Sequence, residues 1–488
     1  MALHIKPIIK VLGLVSAIVA LMMLIPAGVS VYYRETAEAL AFAYVAVPVM
    51  ILGFAAFKMT PAIKDHDIRM KEGFFIVGAA WIVLSVVGAL PFMISGDIPR
   101  LGDAFFEVAS GFSTTGSTIL TDIEALAKGM AFWRSFTHWL GGMGILVLTI
   151  AIMPMLGIGG QRIMRAETTG PTMDKISFTI NDSAKNLYIV YFALTVIEVV
   201  LLCLGGMNLY DSLVHSFGTM GTGGFSNYAD SVGHFESGYL QMVIAVFMML
   251  AGINFSLHYS AVKGNIHQVL RDSELRAYLA ILAGSTAFIM AMLLIYKCVG
   301  DPWTAFKQSF FQVNSITTTT GYGTADFDLW PLPCRILLVA LMLVGGCAGS
   351  TGGGVKVIRV IILFKIIGRE IKKKLHPNAV MPIKVGGKVV AENTISAVSG
   401  FLFLYFMIIA ASVFIVSFEA PYFTTAFTTV VAVISNIGPG LAAVGPTLNY
   451  AFYSQGIKIF LGLLMIAGRV EIFTVFLLFT PSYWNKNK

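Results

Sequence analysis

The most informative chemical feature of the chain is a stretch rich in glycine, serine and threonine that occurs four times. Each stretch ends on a glycine, and the first and third match closely, as FFEVASGFSTTG against FFQVNSITTTTG. Carbonyl and hydroxyl oxygens replace the hydration shell of a hard cation, and the glycine ends carry no carboxylate that would favour a divalent ion. The pattern indicates a monovalent cation site built from Ala104–Gly116, Ser212–Gly224, Ser309–Gly321 and Ala426–Gly438.

Close packing of transmembrane helices is the alternative interpretation, because small residues also let helices approach each other. For a single stretch, packing is the favoured interpretation. Four stretches at equivalent positions, all predicted on one face of a membrane, favour a pore. They are too short and too polar at their ends to cross a bilayer, so we expect short helices that enter the membrane and return as extended loops.

A second glycine-rich run, GGCAGSTGGG at Gly345–Gly354, interrupts an otherwise apolar segment. Each glycine costs a helix about 1 kcal/mol relative to alanine, so we expect the helix to break here. A phosphate-binding loop is excluded, because Val355 and Lys356 follow where Lys and then Ser or Thr are required. Broken backbone within a membrane is tolerated where it lines a cavity, and a tightly packed kink is the alternative.

Long apolar segments must position these residues. Of the 488 residues 57% are hydrophobic and 12% are charged, and the mean hydropathy is +0.81, which indicates a membrane protein. A bilayer is spanned by about 20 apolar residues. We predict ten transmembrane helices, at Val11–Tyr33, Leu40–Phe57, Phe74–Ile94, Phe136–Met155, Leu187–Met207, Leu240–Leu257, Ala277–Tyr296, Ile336–Ile358, Ile395–Val416 and Ile459–Thr480.

Basic residues are distributed unevenly across this topology. With a cytoplasmic N-terminus, cytoplasmic segments hold 23 of the 33 Lys and Arg residues, external segments hold 8 and the spans hold 2. The asymmetry follows the positive-inside rule, so the net charge of +7 does not indicate nucleic acid as a partner. The densest cluster, Arg369 with Lys372, Lys373 and Lys374, favours contact with anionic lipid or, alternatively, docking of a cytosolic partner.

The predicted fold is an all-α integral membrane protein with ten transmembrane helices and four re-entrant pore helices in fourfold pseudosymmetry. Two extra N-terminal helices occupy residues 1–72. Each repeat consists of a span, a short helix, a loop and a second span. Asp103 and Asp211 are placed to cap the first two short helices. The repeats are predicted at 73–172, 173–272, 273–385 and 386–488.

Ionisable groups inside spans are costly and usually face a cavity or a partner. Arg469 and Glu471 lie within the tenth span. Residues two apart do not share a helix face, so we expect Glu471 to pair with Lys356 or Arg359. Simple linkage between helices is the alternative role for both residues of the tenth span.

Several other polar residues carry weaker signals. We expect structural roles for Glu107, Glu198, Lys307 and Gln312. Three of the eight histidines, His138, His215 and His258, are isolated polar residues in apolar surroundings, and the four cysteines lack CxxC spacing, so neither set predicts a metal site.

The four glycine-ending loops resemble the pore loops of the Trk/Ktr/HKT superfamily of cation transporters, and of its Trk branch in particular. The resemblance extends over essentially the whole chain. The third loop is also similar, through TTGYG at Thr319–Gly323, to the filter signature of tetrameric potassium channels. The four loops are STTGST (Ser113–Thr118), GTGGFSN (Gly221–Asn227), TTTTGYGT (Thr317–Thr324) and SNIGPGL (Ser435–Leu441).

The resemblance implies a selectivity filter with one glycine from each repeat. In some plant members a serine replaces the first of these glycines and sodium selectivity follows, so four glycines imply passage of potassium and rubidium. No covalently bound cofactor is implied, because potassium is the transported ligand. The implied filter residues are Thr114, Thr115, Gly116, Thr222, Gly223, Gly224, Thr319, Thr320, Gly321, Asn436, Ile437 and Gly438.

The resemblance further implies a gate below the filter, with Arg469 facing the pore beside it. It implies a homodimer in a bacterial inner membrane, with both termini cytoplasmic. The dimer would dock on a cytosolic ring of nucleotide-binding regulatory subunits, for which Arg369–Lys388 is one candidate face. The gate residues are Gly345, Gly346, Cys347, Ala348, Gly349, Ser350, Thr351, Gly352, Gly353 and Gly354.

Other functions stay open or are disfavoured. A potassium symporter coupled to protons or sodium, and a sodium-permeable cation channel, are the alternatives to selective potassium uptake. Secondary transporters with broken helices usually show two repeats rather than four. An enzyme is disfavoured, because the chain has no HExxH, no GxSxG and no paired aspartates within a span.

Overall fold

A computed structural model describes residues 4–60, 70–144 and 180–470, together with residues 472, 474, 475 and 480. The described chain is mainly helical. Its helices are α1 (Ile5–Met22), α2 (Leu24–Tyr32), α3 (Thr36–Met59), α4 (Met70–Ser95), α5 (Leu101–Phe112), α6 (Lys128–Gly142), α7 (Ile180–Leu204), α8 (Leu209–Gly221), α9 (Gly238–Ala251), α10 (Phe255–Val262), α11 (Ile266–Leu270), α12 (Ser273–Ile295), α13 (Pro302–Thr317), α14 (Leu332–Val344), α15 (Val357–Leu375), α16 (Glu392–Val416), α17 (Phe423–Ile434) and α18 (Gln455–Arg469).

Within the described ranges, six helical segments are long and apolar enough to cross a membrane. They coincide with six of the predicted spans. The predicted fourth and tenth spans, Phe136–Met155 and Ile459–Thr480, run partly outside the described residues. The six segments are Ile5–Tyr32, Thr36–Met59, Lys71–Ser95, Lys185–Leu204, Ser273–Ile295 and Glu392–Val416.

Two predicted spans are not continuous helices. The sixth, predicted at Leu240–Leu257, is bent by 99° between α9 and α10. The eighth, predicted at Ile336–Ile358, ends as helix at Val344 and resumes only at Val357. The glycine run predicted the second break, whereas the bend was missed because a lone glycine and one asparagine cap give little signal in an apolar sequence.

Four short helices, α5, α8, α13 and α17, occupy equivalent places, and each packs against the helices before and after it in the chain. Further contacts join neighbouring repeats: α6 with α8, α9 with α13, α14 with α17, and α18 with α5. The last contact returns from the fourth repeat to the first. The four short helices therefore surround one axis.

The two N-terminal segments lie outside this ring. α1 crosses α3 so closely that a side chain on Gly53 would overlap the carbonyl oxygen of Gly13. Small residues permit such a close approach between membrane helices. The pair packs on α4, and α2 contacts α6, so this unit supports the outer side of the first repeat.

The expected helix caps were wrong for both aspartates. α5 begins after Arg100, and Asp103 lies in its first turn, where its carboxylate pairs with Lys458 Nζ at 2.6 Å. α8 is capped by Asn208, which accepts from the Asp211 N–H at 2.8 Å. An acidic group in the first turn still favours the positive end of the helix, so each predicted cap was displaced by three residues.

One feature departs from the predicted all-α fold. Strands β1 (Lys384–Val385) and β2 (Lys388–Val389) form a two-stranded antiparallel hairpin. The turn contains Gly386 and Gly387, both with positive φ, and this glycine pair is typical of a tight hairpin. The hairpin lies at the end of the basic segment Arg369–Lys388, which the sequence predicts as a candidate docking face, and extends one residue beyond it.

Candidate functional site

The C-terminal end of each short helix has the same hydrogen-bonding pattern. In α5 the Thr115 N–H donates to the Ser110 carbonyl at 2.9 Å, and the Thr114 N–H donates to the Gly111 carbonyl at 3.1 Å. The other three helices repeat both bonds at 2.8 to 3.2 Å. This is the Schellman motif, which needs a left-handed residue just beyond the helix. That residue is Thr114, Thr222, Thr319 or Asn436.

Three of these left-handed positions carry threonine. A β-branched residue with positive φ is a conformational outlier that costs roughly 1–3 kcal/mol and persists only where the surroundings determine it. The same outlier in three repeats, with φ between 53° and 61°, marks the turn as a functional element. Each turn redirects the chain from the helix end into an extended segment that leads to the filter glycine.

The four glycines that follow these turns form a closed ring. Each has a φ between 77° and 101°, and each abuts the carbonyl that precedes the glycine of the next repeat. A side chain on any of them would overlap that carbonyl oxygen. Only glycine combines this backbone angle with this proximity. The contacting pairs are Gly116 with Gly223, Gly224 with Thr320, Gly321 with Ile437, and Gly438 with Thr115.

The carbonyl oxygens in this ring have no hydrogen-bond donor within the described part of the chain. Those of Thr115, Gly223, Thr320 and Ile437 accept no hydrogen bond from the described residues. Buried carbonyl groups normally find a donor, so four free oxygens around one axis suit a bound cation. The Gly438 carbonyl differs, because it accepts from Tyr450 Oη at 2.7 Å and from Ser117 Oγ at 3.2 Å.

A cavity of about 100 Å³ lies against one side of the ring. All four filter glycines line it, together with the hydroxyl-bearing residues Ser117, Thr121 and Tyr228. Its lining includes the cationic Arg134 and no carboxylate among the described residues. The cavity therefore places polar groups next to the ring, and its described lining contains no carboxylate.

The glycine run forms a loop that joins α14 to α15, as predicted. Gly345, Gly349 and Gly354 have positive φ. The loop is hydrogen-bonded to the bend in the sixth segment: Cys347 N–H donates to the Gly252 carbonyl at 2.9 Å, and Phe255 N–H donates to the Gly349 carbonyl at 3.0 Å. The two helix breaks therefore satisfy each other's backbone groups, which the apolar surroundings cannot do.

The loop lies directly against the ends of two short helices. Gly353 N–H donates to Thr319 Oγ1 at 2.7 Å, so the loop contacts the left-handed residue of the third turn. A side chain on Gly352 would lie 2.9 Å from the Thr318 carbonyl oxygen, and one on Gly353 would overlap that of Ser435. The loop lies against the ring on the side opposite the cavity.

The two hydroxyl side chains of the loop, those of Ser350 and Thr351, donate to backbone carbonyls. Ser350 Oγ donates to the Cys347 carbonyl at 2.6 Å, and Thr351 Oγ1 donates to the Ala251 carbonyl at 3.2 Å. Both hydroxyls therefore stabilise the loop itself and its junction with α9.

Arg469, the last residue of α18, bridges three repeats. Its guanidinium donates to the Thr351 carbonyl at 2.5 Å and to the carbonyls of Gly141 and Gly142 at 2.7 and 2.5 Å. The Thr351 bond reaches the glycine loop, and the other two reach the C-terminal end of α6. A cation is favoured at a helix C-terminus, where carbonyl groups are unpaired.

Sequence reasoning missed Glu274 as a functional candidate. Its buried carboxylate accepts the Ala348 N–H at 2.8 Å, within the glycine loop, and the Ile358 N–H at 2.9 Å, in the first turn of α15. One signal in the sequence could have identified Glu274, namely an acidic residue just before the predicted span Ala277–Tyr296. The other was the need for an acceptor for the amide groups that a broken helix leaves unpaired.

Glu471, which the sequence predicts as the partner of Lys356 or Arg359, lies outside the described residues. Among described contacts, Lys356 Nζ donates to the Gly352 carbonyl. The Arg359 guanidinium lies over the Phe401 ring, 4.0 Å from its centroid. The predicted pairing of Glu471 stays a prediction.

The histidines bind backbone and hydroxyl groups. His138 Nδ1 lies 2.8 Å from the Gly111 carbonyl, and its Nε2 accepts the Phe225 N–H at 3.2 Å, which fixes the neutral tautomer. His215 contacts Ser226 Oγ at 3.1 Å. Among the described residues no group of three His, Cys, Asp or Glu side chains is arranged to hold a metal.

A family model described as TrkH, cation transport protein, matches residues 47–486. The chain belongs to the TrkH family. It is 39% identical to the Trk system potassium uptake protein TrkH of Salmonella typhimurium over 99% of this chain and 100% of that protein. It is 33% identical to the Trk system potassium uptake protein TrkG of Escherichia coli strain K12 over 99% of each chain.

The crystal structure of the potassium transporter TrkH from Vibrio parahaemolyticus matches with a TM-score of 0.88 and 36% identity. The match covers 99% of this chain and 100% of that chain. Membership of the TrkH family confirms the prediction of a helical membrane protein that transports cations and is not an enzyme.

Proposed function

We propose that the chain takes up potassium as the pore subunit of a Trk system. The observation that carries this proposal is the ring of four carbonyl oxygens without protein donors, each abutting the filter glycine of a neighbouring repeat. Relatives along the full length of the chain are named Trk system potassium uptake proteins, which supports the same ion.

The proposed filter uses backbone oxygens as ion ligands. Potassium and rubidium would exchange hydration water for the carbonyls that precede the four glycines. The Schellman turns fix these carbonyls relative to the short helices, so little further ordering is needed when the ion binds. The filter consists of Thr114, Thr115, Gly116, Thr222, Gly223, Gly224, Thr319, Thr320, Gly321, Asn436, Ile437 and Gly438.

The proposed gate is the loop Gly345–Gly354 with Arg469. The loop contacts Thr319 on the side of the ring away from the cavity, and the Arg469 guanidinium binds the Thr351 carbonyl. In this position the loop blocks the pathway sterically, and the arginine adds positive charge that opposes a cation. Opening would require the loop to leave both contacts.

The proposed setting is a bacterial inner membrane with cytoplasmic termini. A negative interior drives a cation inward with about 2.3 kcal/mol per charge for each 100 mV. The cavity would then be the external mouth, and the glycine loop would lie on the cytoplasmic side. The proposed units are residues 1–72 and four pore repeats at 73–172, 173–272, 273–385 and 386–488.

The proposed partners are a second copy of the chain and a cytosolic ring of nucleotide-binding subunits. The basic end of α15 and the hairpin that follows would face the cytosol in this orientation. Lys372 and Lys374 are exposed, Lys373 is half-buried, and Arg369 pairs with Glu392 at 2.6 Å. The surface offers positive charge on a rigid helix, which suits an acidic face of a partner.

Rubidium uptake into liposomes loaded with potassium tests the proposal. Uptake that external potassium blocks and sodium or lithium does not block supports a potassium-selective filter. Equal block by sodium would retain the pore and contradict the ion assignment. A sodium or proton requirement would favour the symporter alternative.

A gate held shut without its partner predicts little uptake by the purified protein. Deleting Ala348–Gly353 should then raise the uptake rate, because it removes the loop from the pathway. No uptake by either form, in protein that is folded by size-exclusion chromatography, would contradict the proposed pathway.

A further inference from the structure

Each short helix carries a polar side chain nine residues before its filter glycine. These residues are Glu107, His215, Gln312 and Thr429. Three of them bond to the chain shortly after their own glycine: Glu107 to Thr118 and Ile119, His215 to Ser226, and Gln312 to Ala325. In these three repeats the short helix therefore bonds, from an equivalent position, to the loop that follows its own glycine. Only the first repeat does so with a carboxylate.

Glu107 makes the most complete of these contacts. Its Oε1 accepts Arg134 Nε at 2.5 Å, and its carboxylate accepts Thr118 Oγ1 at 2.9 Å and the Ile119 N–H at 2.9 Å. The side chains of Glu107 and Arg134 are 0% and 3% exposed. A buried charge pair of this kind stabilises only if its remaining hydrogen-bonding groups are also satisfied.

Arg134 extends the network to the second repeat. Its Nη1 donates to the Ser226 carbonyl at 2.8 Å, and its guanidinium lies over the Phe225 ring, 3.6 Å from the centroid. One turn further along α6, His138 joins the Gly111 carbonyl to the Phe225 N–H. One face of α6 therefore holds the end of the first short helix and the loop that follows Gly224.

We propose that Glu107 and Arg134 are positioning residues for ion selectivity. They fix the distance between the first and second filter loops, and so the width of the carbonyl ring. This inference rests on the proposed function, because it concerns discrimination by the same filter. Neither residue touches the ion.

The expected effect follows from the type of hydrogen bond. A bond to a carboxylate is roughly twice as strong as a neutral one, and the amide of Glu107→Gln would turn a donor towards Arg134 or Ile119. The two loops would then be held less firmly, and sodium would be accommodated better. We expect the discrimination between potassium and sodium to fall by about fivefold to tenfold.

A purely electrostatic effect predicts a different result. Arg134 lines the cavity beside the ring, and without Glu107 its charge would repel potassium and sodium alike. Total uptake would fall, but the ratio would not change. The double variant Glu107→Gln with Arg134→Gln removes the uncompensated charge, so it separates loss of position from repulsion.

The test measures rubidium uptake into liposomes at increasing external sodium and, separately, potassium. The ratio of the two inhibitory concentrations is the readout. Asp103→Asn is the matched control, because it breaks the other buried pair of the same short helix, with Lys458 at 2.6 Å, away from the filter loops. Size-exclusion chromatography confirms that each variant is folded.

The expected result is a lower ratio for Glu107→Gln and for the double variant, with the wild-type ratio in Asp103→Asn. A wild-type ratio in the double variant would overturn the inference while leaving the filter itself intact. An equal fall in Asp103→Asn would also overturn it, since any lost ion pair would then suffice. If the single variant does not fold, Thr118→Val, which removes one donor to Glu107, gives the deciding ratio. A wild-type protein without potassium preference would instead contradict the proposed function.

Discussion

At the scale of single residues, backbone conformation matters more than side-chain chemistry. The filter positions are distinguished by positive φ at four glycines and at the residues two positions before them. The oxygens offered to an ion belong to the main chain, so the side chains act by permitting a fold. A substitution that keeps polarity but adds a Cβ is therefore expected to be harmful.

Gly116→Ser tests this view of the filter. The new side chain would overlap the Gly223 carbonyl oxygen and would need a φ of 80°, which serine disfavours. We expect the potassium-to-sodium preference in rubidium uptake to fall about tenfold, equivalent to about 1.4 kcal/mol. Gly284→Ser is the control, because a Cβ there meets no atom within 4 Å. Equal effects of the two changes would argue against the ring.

The sequence predicted the positions of the ring glycines better than it predicted which distant residues form hydrogen bonds with each other. The glycine spacing predicted which residues meet, because four copies of one motif imply one repeated structure. The contacts of Arg469 with Thr351, Gly141 and Gly142 join positions more than a hundred residues apart. A single sequence contains no record of such distant pairs, so the bridge between three repeats was not predictable.

At the scale of elements, the two helix breaks behave as one unit. The bend between α9 and α10 supplies acceptors and donors for the glycine loop, and Glu274 on α12 joins the middle of the loop to the first turn of α15. The loop was predictable from its six glycines. The bend was not, because the residues at Ala251–Asn254 include only one glycine and sit in an apolar segment.

Glu274→Ala is expected to raise basal rubidium uptake. The change leaves the N–H groups of Ala348 and Ile358 without their acceptor, at a cost of about 1–3 kcal/mol each, and so weakens the closed loop. Glu274→Gln keeps a carbonyl acceptor and should behave more like the wild type. The exposed Glu236→Gln serves as the control. Lower uptake in Glu274→Ala than in the wild type would contradict a restraining role.

At the scale of the whole molecule, inter-repeat contacts close the ring. α18 returns to α5, where a side chain on Gly462 would overlap the Phe105 ring. The order of repeats around the axis follows their order in the chain. The charge asymmetry predicts the orientation of this ring in the membrane, with the cavity outside and the basic end of α15 inside.

The native cysteines offer a test of that orientation. Cys298, just after α12, is exposed, whereas Cys334 and Cys347 are buried. With a cytoplasmic N-terminus, Cys298 faces the outside, so a membrane-impermeant maleimide should label intact cells. Cys298→Ser should abolish most of the labelling. Labelling confined to inside-out vesicles would reverse the proposed topology.

The most direct test of the central claim is the position of the ion itself. Crystals of the protein grown in a rubidium salt, with data collected at the rubidium absorption edge, should show an anomalous peak on the axis between Thr115, Gly223, Thr320 and Ile437. A sodium salt should give no such peak. The absence of rubidium density within coordination distance of these carbonyls, or a peak confined to another site, would contradict the four-glycine filter.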